Sequence, residues 1–197
     1  MPRSRALVRA VRRRVSFFRQ AECDRLRAIL PAGAVLDVGC GKGDRLPDHV
    51  IPFGIEISEN EWVQAHARMV ERGGYAVNAG GVEGLDRFGD ESFDGMVMRS
   101  YLEHEDQPRA VLDRAYRKLK SGGVVYVRVP NFGSINARVL GPRWCGIRLP
   151  DHLNYFTVAQ LKGMAEDSGF TVNVLNAWNL AVDDNIKAVL KKPQTSD

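Results

Sequence analysis

Long apolar runs are missing from this 197-residue chain. None approaches the ~20 residues that a helix needs to cross a bilayer, so no membrane span is expected. Cysteine is scarce: Cys23, Cys40 and Cys145 form an odd, scattered set with no CxxC pair. That argues against a disulfide framework and against a zinc site, and it fits a reducing, cytoplasmic setting. The start, MPRSR, is charged but has no apolar core or small-residue cleavage site after it, so no secretory leader is expected. There is no internal repeat and no low-complexity linker. Acids are also missing at the start, where Arg3, Arg5, Arg9, Arg12, Arg13, Arg14 and Arg19 precede the first acid, Glu22. Such a cluster can meet nucleic acid or an anionic membrane. The plainer reading, a capping helix with solvated arginines, is preferred, and nucleic acid is not the expected partner.

What is present is an ordinary folded composition, 44% hydrophobic and 26% charged. The length suits one large α/β domain. Residues 1–30 read as a basic helical segment packed on a domain spanning 31–192, and 193–197 as a polar tail. Short apolar runs at Ala34–Val38, Pro52–Ile57, Tyr75–Ala79, Phe93–Met98 and Val124–Val129 read as strands. Helices are expected over Glu59–Arg72, with Ser58 and Glu61 at capping-box spacing, over Gln107–Lys120, and from Thr157 to about Ser168. Gly80–Gly84 reads as a glycine-rich turn and Asn131–Asn154 as a long irregular segment. Thr171–Val174 and Ile186–Leu190 follow without an intervening helix. The expectation is a Rossmann-like, seven-stranded, mostly parallel sheet with an antiparallel last strand and helices on both faces.

In such sheets a ligand lies beyond the carboxyl ends of the strands. The first strand ends in Asp37 and the loop Gly39-Cys-Gly-Lys-Gly43. Glu56 ends the second, at the distance where an acid accepts the two hydroxyls of a ribose. A nucleoside-containing cofactor follows. The dinucleotide fingerprint is GxGxxG, whereas the spacing here is GxGxG. Asp37 and Asp44 would repel a pyrophosphate and attract a sulfonium and an ammonium, which favours S-adenosylmethionine over NAD.

The segment VLDVGCGKGD (Val35–Asp44) resembles motif I of class I S-adenosylmethionine-dependent methyltransferases, and FGIEIS (Phe53–Ser58) resembles their acidic element after it. Glu91–His104 and Leu119–Pro130 resemble the fourth- and fifth-strand motifs, in the same order. The resemblance implies that Asp37 lies near the methionine amino group. It implies that Gly39, Cys40 and Gly41 offer backbone, that Glu56 holds the ribose, and that Ile57 flanks the adenine. Gly81 and Val82 match the adenine-contacting turn, and Arg99 lines the methionine end. One departure stands out: Gly81 occupies the position where the family often has an Asp that accepts from the adenine amino group. Glu83 or backbone contacts would then have to substitute.

Methyl transfer from a sulfonium needs a positioned and, where required, deprotonated nucleophile. His104, His152 and Tyr101 are the candidate catalytic residues. The segment Asn131–Asn154, with Phe132, Arg143, Trp144, Arg148 and Asp151, is expected to cover the acceptor. No metal is expected, because Ser100 stands where a further acid would be needed beside Glu103, His104 and His152. The stretch PDHLNYFT (Pro150–Thr157) resembles bacterial small-molecule, glycan or quinone-type O-methyltransferases, which implies a small-molecule acceptor. A weaker resemblance to the MetW family implies a non-catalytic protein acting with a partner. RNA methylation and peripheral contact with an anionic membrane are further readings, motivated by the arginines.

Overall fold

The computed structural model describes residues 20–194. The arginine-rich stretch therefore lies outside the described residues, as does most of the first expected helix; its remainder, 20–29, is helical and is called α1. The chain then runs β1 (Gly33–Val38), β2 (Val50–Glu56), α2 (Glu59–Val70), β3 (Tyr75–Asn78), α3 (Gly81–Asp86), β4 (Phe93–Arg99), α4 (Pro108–Lys118), β5 (Leu119–Pro130), α5 (Ile135–Leu140), α6 (Val158–Asp167), β6 (Thr171–Val174) and β7 (Asn185–Lys191). Among the described residues no helix is long and apolar enough to cross a membrane.

The strands form one sheet in the order β3-β2-β1-β4-β5-β7-β6. β7 runs antiparallel to both of its neighbours, β5 and β6, and the other pairs are parallel. The order turns back at β1 and β4, so their carboxyl ends flank the switch point. Strand alternation sorts the side chains. Leu36, Val38, Met96, Met98, Val125 and Val127 join one core with α4 and α6 through Val111, Leu112, Leu161 and Ala165. Val35, Val97 and Tyr126 face the other way, against Leu26 and Leu30 of the α1 region.

That second face carries a buried polar contact. Tyr126 Oη donates to Glu22 Oε1 at 2.8 Å, and Arg25 and Arg128 stand 3.7 and 3.6 Å from the same carboxylate. The contact ties α1 to the centre of the sheet. Tyr126→Phe deletes the one donor to Glu22 within normal hydrogen-bond distance among the described residues and should cost about 1.5–3 kcal/mol. Urea unfolding checks this, and an unchanged midpoint would make the contact energetically idle.

Several local expectations are corrected. Ser58 is the N-cap of α2, but no capping box forms, because its side chain makes no cap hydrogen bond and its N–H donates to Glu56. The box forms instead at Thr157 and Gln160 of α6. The glycine-rich turn at 80–84 is a helix, α3, with Gly80 as its N-cap. α4 ends at Lys118, and β5 begins at Leu119, five residues before the expected Val124. The reason is pairing: Phe93 of β4 finds Leu119 before the register shifts, and the chain then bends at Gly122 (φ 78°) and resumes pairing at Gly95–Val124. The segment after β5 is partly ordered as α5 and a 3-10 turn at Gly141–Arg143.

Candidate functional site

The carboxyl ends of β1, β2 and β4 lie side by side at one end of the sheet, and Tyr101 lies against both Gly39 after β1 and Gly81 at the start of α3. β1 ends in the loop whose Gly39, Gly41 and Gly43 have φ of 72°, 56° and 69°, values that glycine adopts without strain. Gly39 and Cys40 both donate their N–H to Ile55 O, at 2.9 and 3.1 Å, which folds the loop back over β2. A Cβ at Gly41 would meet nothing nearer than Glu61 Oε2 at 3.6 Å, so the backbone there is bare and open. The Cys40 side chain turns away into a cluster with Ala65, Met69 and Ala76, and burial pushes its thiol up. Cys40 is fully buried, its N–H donates to Ile55 O and its carbonyl accepts from Gly43 N at 3.1 Å, so it shapes the loop from behind.

Glu56 is set by backbone amides. Gly41 N donates to Oε2 at 2.8 Å and Ser58 N to Oε1 at 2.9 Å. A second lone pair on each oxygen is left to accept from a diol. Asn78, which sequence reasoning passed over, steadies this corner from β3 by donating to Glu56 O and Ile57 O at 2.8 and 3.0 Å. Ile57 beside it is 75% exposed, an apolar surface at a strand end with room for a base.

Asp37 is 3% exposed, and its Oδ2 has no hydrogen-bond partner. Burial is the main reason its carboxyl is pushed up to about 7. Arg99 and Arg45 pull the other way without offsetting it. Arg99 is depressed chiefly by its own burial, with Asp37 opposing. An orphaned buried oxygen that would gain from a nearby cation, an open glycine backbone and an oriented diol acceptor together fit S-adenosylmethionine.

The missing acid at Gly81 now has a physical account. A Cβ there would stand 1.7 Å from Tyr101 Oη and 2.8 Å from Glu105 Oε2. Tyr101 donates to Glu105. Position 81 has no side chain because Tyr101 and Glu105, arriving from β4, fill that space. Of the two alternatives, Glu83 or backbone contacts, Glu83 is engaged elsewhere: it pairs with Arg87 one turn along α3, on its exposed face. Glu105 is the carboxylate that sequence reasoning missed, and its only signal was its place just after the fourth-strand motif. Tyr101 also lies against Gly39, where a Cβ would be 2.7 Å from its ring. Burial and Glu105 push its hydroxyl up, so it stays protonated.

Beyond Tyr101, the segment 151–154 is stitched to 102–105. Leu153 N and Asn154 N donate to Glu103 O at 2.7 and 3.0 Å, and Asn154 Nδ2 donates to Leu102 O and Glu105 O. This brings His152 to His104, with ring centroids 4.7 Å apart and edge to face. Both lie beside Glu103. Burial raises the Glu103 carboxyl and lowers His152. Other residues of the covering segment are anchors. Trp144 is 2% exposed and donates to Asp184 at 2.8 Å, and buried Asn131 donates to Leu180 O and Asp183 O.

A seven-stranded sheet with its one reversed strand, an acid before a glycine loop and a second acid at the end of β2 define a class I S-adenosylmethionine-dependent methyltransferase. The chain belongs to the methyltransferase domain family, whose model matches residues 8–174. It is 24% identical over 151 residues to an uncharacterized protein of Methanocaldococcus jannaschii, covering 77% of this chain and 71% of that one. Its fold is similar to that of a SAM-dependent methyltransferase of Thermotoga maritima (TM-score 0.68, 22% identity, 90% of each chain). It is also similar to phosphoethanolamine N-methyltransferase 2 of Haemonchus contortus in complex with S-adenosyl-L-methionine (TM-score 0.61, 18% identity, 89% of this chain and 52% of that one).

Proposed function

We propose that this protein transfers a methyl group from S-adenosylmethionine to an oxygen of a small-molecule acceptor carried on a lipid or glycan. When bound, the cofactor supplies the activated methyl group. Asp37, the backbone of Gly39–Gly41, Glu56, Ile57 and Arg99 are the residues assigned to hold it, with Val82 and the Tyr101–Glu105 pair at the adenine end.

One observation carries the choice of oxygen. His104 is exposed at the floor of the covering segment, and its Nδ1 lies 2.8 Å from Asp151 O. A carbonyl oxygen can only accept, so Nδ1 carries a proton, and Nε2 is the nitrogen through which the neutral ring would act as a base. A hydroxyl needs such a base at neutral pH far more than an unprotonated amine does. In the covering segment the apolar side chains Phe132, Leu149 and Leu153 are 45, 77 and 57% exposed, which supports an acceptor with an apolar carrier.

The test is product formation, followed as S-adenosylhomocysteine, with paired hydroxyl and amine acceptors on the same isoprenoid tail. The hydroxyl compound should turn over, and His104→Gln should lower kcat by about 100-fold while leaving S-adenosylmethionine affinity unchanged. Turnover of the amine alone, or an unaltered kcat in the variant, overturns the reading. The rival, a non-catalytic protein acting through a partner, requires that no acceptor be methylated at all.

A further inference from the structure

Glu103, His104 and His152 come from two stretches of chain that the fold joins. Each offers one ligand atom, and these atoms all lie within 4.8 Å of one another. Hydrogen bonding among the three does not explain the cluster. Glu103 is 1% exposed, and its Oε2 is buried with no hydrogen-bond partner. Leaving a carboxylate oxygen in that condition is costly unless something else compensates it.

The two imidazoles are arranged alike. His104 Nδ1 is 2.8 Å from Asp151 O, and His152 Nδ1 is 2.7 Å from Gly146 O. Each carbonyl can only accept, so each Nδ1 carries a proton, and Nε2 is the nitrogen each ring has left to offer a cation. A second-shell carbonyl holding the far nitrogen is the usual setting of a metal-bound histidine. Ligand atoms around a tetrahedral cation stand about 3.4 Å apart for bonds of about 2.1 Å. From separations of up to 4.8 Å, a closure of at most about 1.4 Å would complete the cluster. His104 is exposed and can supply that movement.

We infer that Glu103, His104 and His152 form a binding site for one divalent transition cation, with Zn2+ as its reference occupant. Two imidazoles and one carboxylate favour Zn2+, Mn2+, Co2+ or Ni2+ over Mg2+, which prefers oxygen ligands and keeps its water. Three protein ligands leave coordination positions open toward the side on which His104 is exposed. The inference deepens the proposed function and reassigns one role in it: with a cation bound, His104 Nε2 would be a ligand, and the cation at an open position would activate the acceptor's oxygen in place of the imidazole. It rests on that reading for its role but not for its existence.

The experiment is calorimetric titration of chelator-treated full-length protein with ZnCl2, and separately with MgCl2, in the absence of any acceptor. Metal content is measured by mass spectrometry after gel filtration. One equivalent of Zn2+ per chain is expected, with weak or no binding of Mg2+. His104→Gln should weaken Zn2+ by at least tenfold, as should Glu103→Gln, with circular dichroism confirming that each variant is folded. His104→Gln is the safer variant, because its side chain is exposed. Binding that is unchanged in both variants would place the metal at His49 or His66 and overturn the assignment. Absence of Zn2+ binding at millimolar concentration, or binding of Mg2+ in preference, overturns it as well. Failure here leaves the role of His104 as base standing. Normal metal binding with an unaltered kcat in His104→Gln would instead sink the acceptor reading alone.

Discussion

Glu56→Ala is expected to weaken S-adenosylmethionine binding by about 100-fold, equivalent to roughly 2.7 kcal/mol. The carboxylate is the acceptor assigned to the ribose diol, and hydrogen bonds to charged groups are worth about 1.5–3 kcal/mol each. A second loss adds to the first. Glu56 also accepts from Gly41 N and Ser58 N, so it holds the glycine loop and the start of α2 in one arrangement. Alanine removes the ligand contact and the preorganisation of the loop together. Glu56→Gln keeps the shape, but its amide group must face one of the two backbone N–H donors, so an intermediate loss is expected. Calorimetry with S-adenosylhomocysteine measures both variants. Unchanged affinity in the alanine variant would mean that the ribose lies elsewhere.

Asp37 should make both stability and cofactor affinity depend on pH, in a way that its asparagine variant does not. Its carboxyl is raised from 3.8 to about 7 by burial. Between those values the unfolded chain has released this proton and the folded protein still holds it. The folded state therefore binds more protons, and stability falls as pH rises through the window, levelling off above about 7. The full change is roughly 4 kcal/mol. Asp37→Asn removes the group at nearly constant volume, so the variant should be the more stable protein at pH 8 and should lose this slope.

Cofactor affinity runs in the opposite sense. The ionised carboxylate is the form that attracts an ammonium or sulfonium, so wild-type affinity should fall by roughly tenfold per pH unit below about pH 7. In Asp37→Asn it should be weak at every pH. Thermal melts and calorimetry over the same pH series test both halves. A wild-type affinity flat from about pH 7 to about pH 5.5 would place the positive charge away from Asp37. Stability is sacrificed at this position for a buried carboxylate that pairs well only with a cation, a pattern expected where binding rather than folding has fixed the residue.

Much of this was legible in one dimension, and the reasons are local. β1, β2 and β4 read as strands because short apolar runs end abruptly in turn chemistry. That Asp37, the glycine loop and Glu56 come together was legible because they lie on two adjacent parallel strands and the short loop between them, where spacing along the chain fixes spacing in space. The misreadings also have local causes. Gly80–Gly84 reads as a turn by composition, yet it folds as α3 because Val82 and Leu85 pack against the main core. Leu119 and Lys120 continue the period of α4, yet they belong to β5 because pairing with Phe93 outweighs helical propensity.

The sequence by itself determined the class of protein: the order of its motifs, the acids at two strand ends and the bare loop between them. Local periodicity and turn residues encode those features. The tertiary structure alone decided what surrounds Gly81 and what the segment after β5 brings to the end of β4. Glu105 reaches the space left at Gly81 only because β4 and α3 are brought together. His152 meets His104 only because Asn154 and the backbone of Glu103 hold residues 151–154 onto the end of β4. Those pairs are separated by 24 and 48 positions in the chain. No repeat or spacing rule connects residues so far apart, and the geometry that unites them exists only when the sheet is assembled.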